Sequence, residues 1–155
     1  MRIIVAPDSY KGSVSAVQVA RSMARGIRRV FPDADVREIP IADGGEGTVD
    51  TLLAATGGKV HRCLVQGPLG QPVEASWGTL GDERTAVIEM AAASGLPLLS
   101  PTQRDPRRTC SYGTGQLLLA ALDAGLRRII IGIGGSATND GGVGMVRAFG
   151  VRFLD

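Results

Sequence analysis

The hydrophobic positions of this chain follow two periods in turn. Residues 2–6 form a short apolar run rich in β-branched side chains, which predicts a buried strand. The spacing then changes. Val17, Ala20, Ala24, Ile27 and Phe31 recur three and four residues apart, predicting a helix capped by Ser13 or Ser15 and ended by Pro32. Arg21, Arg25, Arg28 and Arg29 lie mostly off that stripe and read as its solvated face. Residues 36–41 read as a second strand, so the opening segment is a βαβ unit with a parallel sheet. A further helix is expected over 48–56, stopped by Gly57 and Gly58.

Beyond this helix the pattern is that of strands without helices between them. Segments 60–66, 73–80 and 85–90 predict an antiparallel meander, with turns at 67–70 and 81–83. The change of character predicts a boundary near Gly67, dividing the chain into residues 1–66 and 67–155. A short helix over 91–94, a surface loop over 100–108 and a helix over 116–124, capped by Thr114 and stopped by Gly125, come next. The apolar run Ile129, Ile130, Ile131 predicts another buried strand, followed by a glycine-rich turn, a helix over 145–149 and a last strand over 151–154. A chain that stops on a strand reads as unfinished.

Composition narrows this α/β picture. The 155 residues carry a net charge of +2 and 22 glycines, with 44% hydrophobic residues. No broad basic field points to nucleic acid. No apolar run approaches the ~18 residues of a membrane span. Cys63 and Cys110 lack metal-type spacing, and no signal peptide precedes the first strand, so reduced thiols and a cytoplasmic setting are expected. His61 reads as a surface strand residue and Trp77 as core.

Three post-strand loops combine glycine, hydroxyl and carboxylate. The first holds Asp8, Ser9, Lys11 and Gly12; the second holds Asp43, Gly44, Gly45, Glu46, Gly47 and Thr48. The third holds Gly134, Gly135, Ser136, Thr138, Asn139, Asp140, Gly141 and Gly142. Glycine, aspartate and serine are also ordinary turn and cap residues, so one such loop carries little information; three of a kind point to a shared site at the carboxyl ends of strands. The chemistry they suit is phosphoryl transfer. Backbone amides and Lys11 would hold phosphate or a substrate carboxylate, and Asp43, Glu46 and Asp140 are the carboxylates for Mg²⁺ or for the base. The third loop is not a P-loop, since no Gly-Lys-Ser/Thr follows its glycines. Gly132, Gly134 and Ala137 fit a dinucleotide fingerprint, a weak match that comes late in the chain.

Taken in order, five segments resemble the signatures of the type I glycerate kinase family. They are Ala6 to Ser13, Ala42 to Thr48, Ile88 to Leu96, Ser111 to Gly115 and Gly132 to Gly142. The resemblance implies transfer of the γ-phosphoryl group of ATP to D-glycerate with Mg²⁺, giving 2- or 3-phosphoglycerate. It implies a flavodoxin-like parallel-sheet domain interrupted by a second α/β domain, both incomplete in this chain because family members are more than twice as long. Asp8, Ser9, Lys11 and the amides near Gly12 would contact glycerate or phosphate, Asp43 and Glu46 would serve Mg²⁺ or act as base, and the 134–144 loop would hold phosphate or the glycerate carboxylate. The expected partners are D-glycerate and either the missing C-terminal half or a second copy of the chain.

Overall fold

The computed structural model describes residues 1–10 and 12–154. The chain divides into two compact units, Met1–Asp43 and Gly44–Asp155.

In the first unit, β1 (Arg2–Val5) and β2 (Asp35–Glu38) pair in parallel from Arg2 opposite Asp35 to Val5 opposite Glu38, with α1 (Ala16–Val30) between them in sequence. Ser15 caps α1: its hydroxyl accepts from Gln18 N, and the Gln18 side chain reaches back to Ser15 N, closing a capping box. The buried face of α1 is Ala16, Val19, Ala20 and Ala24, so the stripe lies slightly round the helix from the one expected, and Phe31 is half exposed. β2 ends at Glu38 and does not reach residue 41. Ile39 and Ile41 still donate to Val5 O and Pro7 O, but Pro40 between them has no N–H to give. Arg28 reaches Glu38 and Val36 O, both at 3.1 Å, which keeps it on the solvated face as expected.

The second unit is built on α2 (Thr48–Thr56), β3 (Lys59–Gln66), β4 (Pro72–Thr79), β5 (Thr85–Glu89), α3 (Ala91–Ser94), α4 (Tyr112–Asp123), β6 (Arg128–Gly132) and α5 (Val143–Ala148). Its sheet runs β3-β4-β5-β6, antiparallel up to β5 and parallel between β5 and β6. The meander is therefore as its alternation predicts, and α3 and α4 form the crossover that a parallel pair requires. Ala86, Val87 and Ile88 of β5 are fully buried, as are Leu117 and Ala121 of α4; Trp77 and Leu118 complete the main core. The expected division after Gln66 lies inside this unit, at the turn of the β3–β4 hairpin. That hairpin pairs from Lys59 opposite Thr79 to Gln66 opposite Pro72, tying residues before and after the turn together.

Three local expectations are corrected. Residues 151–154 are irregular, because among the described residues no strand lies alongside to complete a ladder. α4 begins at Tyr112 and is preceded by Ser111; Thr114 lies inside it, buried, with its hydroxyl 2.8 Å from that of Ser94. His61 is half-buried, stacked on Trp77 with ring centroids 4.2 Å apart and 2.9 Å from the Thr79 hydroxyl. Cys63 and Cys110 are free thiols. No helix among the described residues is long and apolar enough to cross a membrane.

Candidate functional site

In the first unit, the 8–13 loop turns back on itself. Tyr10 and Val14 form an isolated bridge, and Ser13 N and Val14 N both donate to Tyr10 O. Gly12 has φ +72 with open space where a Cβ would stand, so the turn demands the left-handed conformation and not the room. Asp8 is exposed and accepts from the N–H of Ser9 at 2.6 Å. Lys11, expected to be catalytic, lies outside the described residues. Asp43 ends this unit on an exposed stretch.

In the second unit, two of the glycine loops meet backbone to backbone. Gly134 N–H donates to Gly44 O at 2.9 Å. A Cβ on Gly132 would run into Gly44 O, and one on Gly134 would sit 2.8 Å from both N and Cα of Gly45. Only glycine permits this approach at positions 132 and 134, whereas at Gly44 it is the φ of +89 that favours glycine. Gly44 and Gly45 thus lie against Gly134 through backbone atoms. Gly135 (φ +75) turns the chain away, and its carbonyl accepts from Leu96 N. Glu46 and Asn139 are exposed.

At the starts of α2 and α5, backbone amides of Val49, Gly142 and Gly144 are taken by the chain's own carboxylates. α2 begins after Gly47, which has no side chain to cap it. Glu89, at the end of β5, does so from outside: Val49 N–H donates to its Oε1 at 2.7 Å. Burial pushes the Glu89 carboxyl above its ordinary value, with repulsion from Asp50 adding to the rise and the amides of Val49, Gly47 and Thr48 opposing it.

Asp140 does the same for α5. Its Oδ2 accepts from the N–H and the hydroxyl of Ser111 (2.8 and 2.9 Å) and from Gly144 N (3.1 Å), and its Oδ1 accepts from Gly142 N (3.1 Å). Ser111 Oγ in turn accepts from Met145 N at 2.9 Å, so the pair ties the start of α4 to the start of α5. Burial works to raise the Asp140 carboxyl, but the hydrogen bonds from Ser111, Gly144 and Gly142 outweigh it, and the group lies below the usual aspartate value. Gly144 is buried because a Cβ there would strike Cys110 Sγ and the amide of Tyr112. Gly141 and Gly142, with φ +61 and +78, supply the left-handed turn that brings Asp140 back over the helix start.

Hydroxyls supply the remaining polar groups. Ser136 Oγ lies 3.1 Å from both Ile133 O and Met90 Sδ. Thr48 Oγ1 and Thr138 Oγ1, one in each loop, are buried without a hydrogen-bond partner among the described residues. No group of three or more His, Cys, Asp or Glu residues among the described residues could hold a metal ion.

The sequence pattern passed over Glu89 and Ser111. The signal for Glu89 was present: a lone acid closing an otherwise apolar strand, just before the small residues 91–94. Ser111 opened one of the family-like segments, but its role depends on a residue 29 positions away, which the local pattern does not show.

The profile of the glycerate kinase family matches residues 3–155. The chain belongs to the glycerate kinase family. A glycerate kinase of Bacillus subtilis is 59% identical over 155 residues, all of this chain and 41% of that protein. A glycerate 2-kinase of Escherichia coli is 57% identical over the same share of each. The crystal structure of a glycerate kinase 2 from Salmonella typhimurium LT2 superposes with a TM-score of 0.83 at 58% identity, covering 96% of this chain and 40% of that one. The chain thus spans about two-fifths of the length of these relatives. Family membership also disposes of the dinucleotide fingerprint. After β6 the chain runs through residues 133–142 before α5 begins, with no helix starting among the glycines as that fingerprint requires.

Proposed function

We propose that this chain supplies part of a kinase site that transfers the γ-phosphoryl group of ATP to D-glycerate with Mg²⁺, forming 2- or 3-phosphoglycerate. The observation that carries the reading is the family match over residues 3–155. The meeting of the 44–47 and 132–135 turns beside the carboxyl ends of β5 and β6, where open α/β sheets bind ligands, supports it.

The residues fit the two cofactors in a particular way. Among the described residues, no three acidic, imidazole or thiol groups converge into an all-protein cage for Mg²⁺. That suits an ion held mainly by nucleotide phosphates and by one or two carboxylates, for which Asp43 and Glu46 are the proposed donors. The buried, unpartnered hydroxyls of Thr48 and Thr138 are the groups with capacity left for a polar ligand. ATP supplies the phosphoryl group; Lys11, Asp8, Ser9 and Gly12 would hold glycerate or phosphate. The backbone of Gly134, Gly135, Gly141 and Gly142, with Ser136, Thr138 and Asn139, would line the phosphate or carboxylate. Asp140 accepts four hydrogen bonds, so its proposed part is to hold the loop, and the base falls to Asp43 or Glu46. The free thiols and ATP as donor fit a cytoplasmic setting.

The test is ADP release from ATP, Mg²⁺ and D-glycerate by the chain alone and by the chain co-expressed with the C-terminal remainder of the Bacillus subtilis relative. ADP release that requires D-glycerate, in either preparation, supports the proposal, and the comparison shows whether the remainder is a required partner. Absence of it in both defeats the proposal. Size-exclusion chromatography of the active preparation distinguishes that partner from a second copy of the chain.

A further inference from the structure

We propose that Glu89 is a positioning residue of this site: its carboxylate, reaching across from the end of β5, sets the 44–48 turn in the form that grips the substrate. The inference rests on the reading of that turn as part of the glycerate kinase site, and it extends the site to a residue on a different element.

The geometry carries it. Glu89 pairs in register with Gly132, and Met90 N–H donates to Gly132 O, so the backbone of Glu89 is fixed to the strand that enters the 132–135 turn. Its side chain goes the other way, to Val49 N at 2.7 Å. The turn before Val49 is pressed through Gly44 and Gly45 against Gly132 and Gly134. One residue thus links two turns whose backbones also touch. Gly47 has no side chain with which to cap α2. The Thr48 hydroxyl, one residue from Val49, is buried and unpartnered. A fold that needed only a helix cap would place Ser or Asp at position 47. Here a left-handed glycine stands in that place, and a half-buried acid from a neighbouring strand takes over.

Burial and Asp50 work against the charged form of Glu89, and the amides of Val49, Gly47 and Thr48 favour it. Glu46 in the turn and Asp50 on α2 are both acidic, the 132–135 turn has no charged residue, and Arg128 of β6 is paired with Thr85 at the far end of β5. A half-buried carboxyl group beside another acid is a feature of sites that use the group.

The test uses the chain alone and co-expressed with the remainder of the Bacillus subtilis relative, in the unchanged form and as Glu89→Gln, Glu89→Asp and the exposed control Glu83→Gln. MgATP and D-glycerate binding are measured by calorimetry, and the Val49 amide resonance is followed by NMR from acid to neutral pH. In the unchanged chain the Val49 amide should titrate with a carboxyl group; in Glu89→Gln that titration should vanish, and the affinity for whichever ligand binds should fall at least tenfold while the fold is kept. Glu89→Asp should be intermediate and Glu83→Gln unchanged. Unaltered affinity in Glu89→Gln overturns the proposal, as does a Val49 amide that never titrates in the unchanged chain. Should Glu89→Gln fail to fold, Glu89→Asp decides by the same two measurements. If the unchanged chain binds neither ligand in either preparation, the functional reading fails and the positioning role with it, while the Val49 titration still reports whether Glu89 holds the turn.

Discussion

Glu89 and Asp140 perform the same structural act in opposite electrostatic circumstances. Each is a carboxylate that covers the first amides of a helix following a glycine-rich turn. Asp140 belongs to its own turn and gathers four hydrogen bonds, two of them from Ser111, and its carboxyl is lowered. Glu89 comes from another strand, lies near Asp50 and is raised. A local, fully bonded carboxylate strengthens the fold more than a remote, half-buried one beside an acid. The 140–144 turn is built to be stable, and the 44–48 turn is built around a group that the fold alone would not favour.

The largest effect should come from removing the bonded carboxylate. Asp140→Ala leaves the amides of Ser111, Gly142 and Gly144 without their acceptor and should cost about 3 kcal/mol. Glu89→Ala should cost about 1 kcal/mol, the ordinary loss of a helix cap. Urea denaturation of both variants checks the pair, and equal losses would break the comparison.

Next in size is Gly132→Ala. Its Cβ would meet Gly44 O, a backbone atom that cannot swing aside, and should destabilise the chain by about 2 kcal/mol. Gly141→Ala has open space and only the left-handed conformation (φ +61) against it, so about 1 kcal/mol is expected. Thermal unfolding ranks the two. If Gly132→Ala proved the milder, the two turns would not be in the close contact described.

Much of this arrangement was legible in the residue pattern. Periods of two and of three to four located all six strands and all the α-helices to within a few residues, because burial on one face is written into the order of the side chains. The glycines announced the turns. What was not legible depends on residues far apart in sequence. Nothing near Glu89 reveals that it caps a helix beginning 41 residues earlier, and Thr114 looked like a cap only because its real partner, Ser94, is a loop away. Residues 151–154 have strand-like composition, yet strand formation needs a neighbour, which a local pattern does not contain. The glycine turns of the 44–48 and 134–142 loops do lead into helix starts, but the pattern was silent on the carboxylates that accept from the first amides of those helices.

The opposite shifts of the two carboxyls give opposite pH dependences. The lowered Asp140 contributes stability that is present above the ordinary aspartate value of about 3.9 and lost as pH falls through its native value. The raised Glu89 contributes stability that is present below the ordinary glutamate value of about 4.3 and lost as pH rises through its native value. Urea midpoints measured between acid and neutral pH should therefore lose part of their acid limb in Asp140→Asn. In Glu89→Gln they should lose part of the decline above the glutamate value. A Glu89→Gln offset that is the same at every pH would show that the ionised form is not held at a cost.

The smallest effect lies with the unpartnered hydroxyls, and its sign matters more than its size. Replacing a buried, unsatisfied hydroxyl by a methyl group of the same shape removes a desolvation cost, so Thr48→Val should leave stability unchanged or raise it by about 0.5–1 kcal/mol. The same holds for Thr138→Val. If these hydroxyls exist to meet a ligand, both variants should bind MgATP or D-glycerate more weakly while unfolding no more readily. The Thr48 variant should show this loss even with Glu89 intact, because the carboxylate fixes where the turn stands and the hydroxyl is what the turn presents. A Thr48→Val chain that is less stable than the original would mean that its hydroxyl already has a partner within the fold, and the 44–48 turn would then resemble the self-sufficient 140–144 turn.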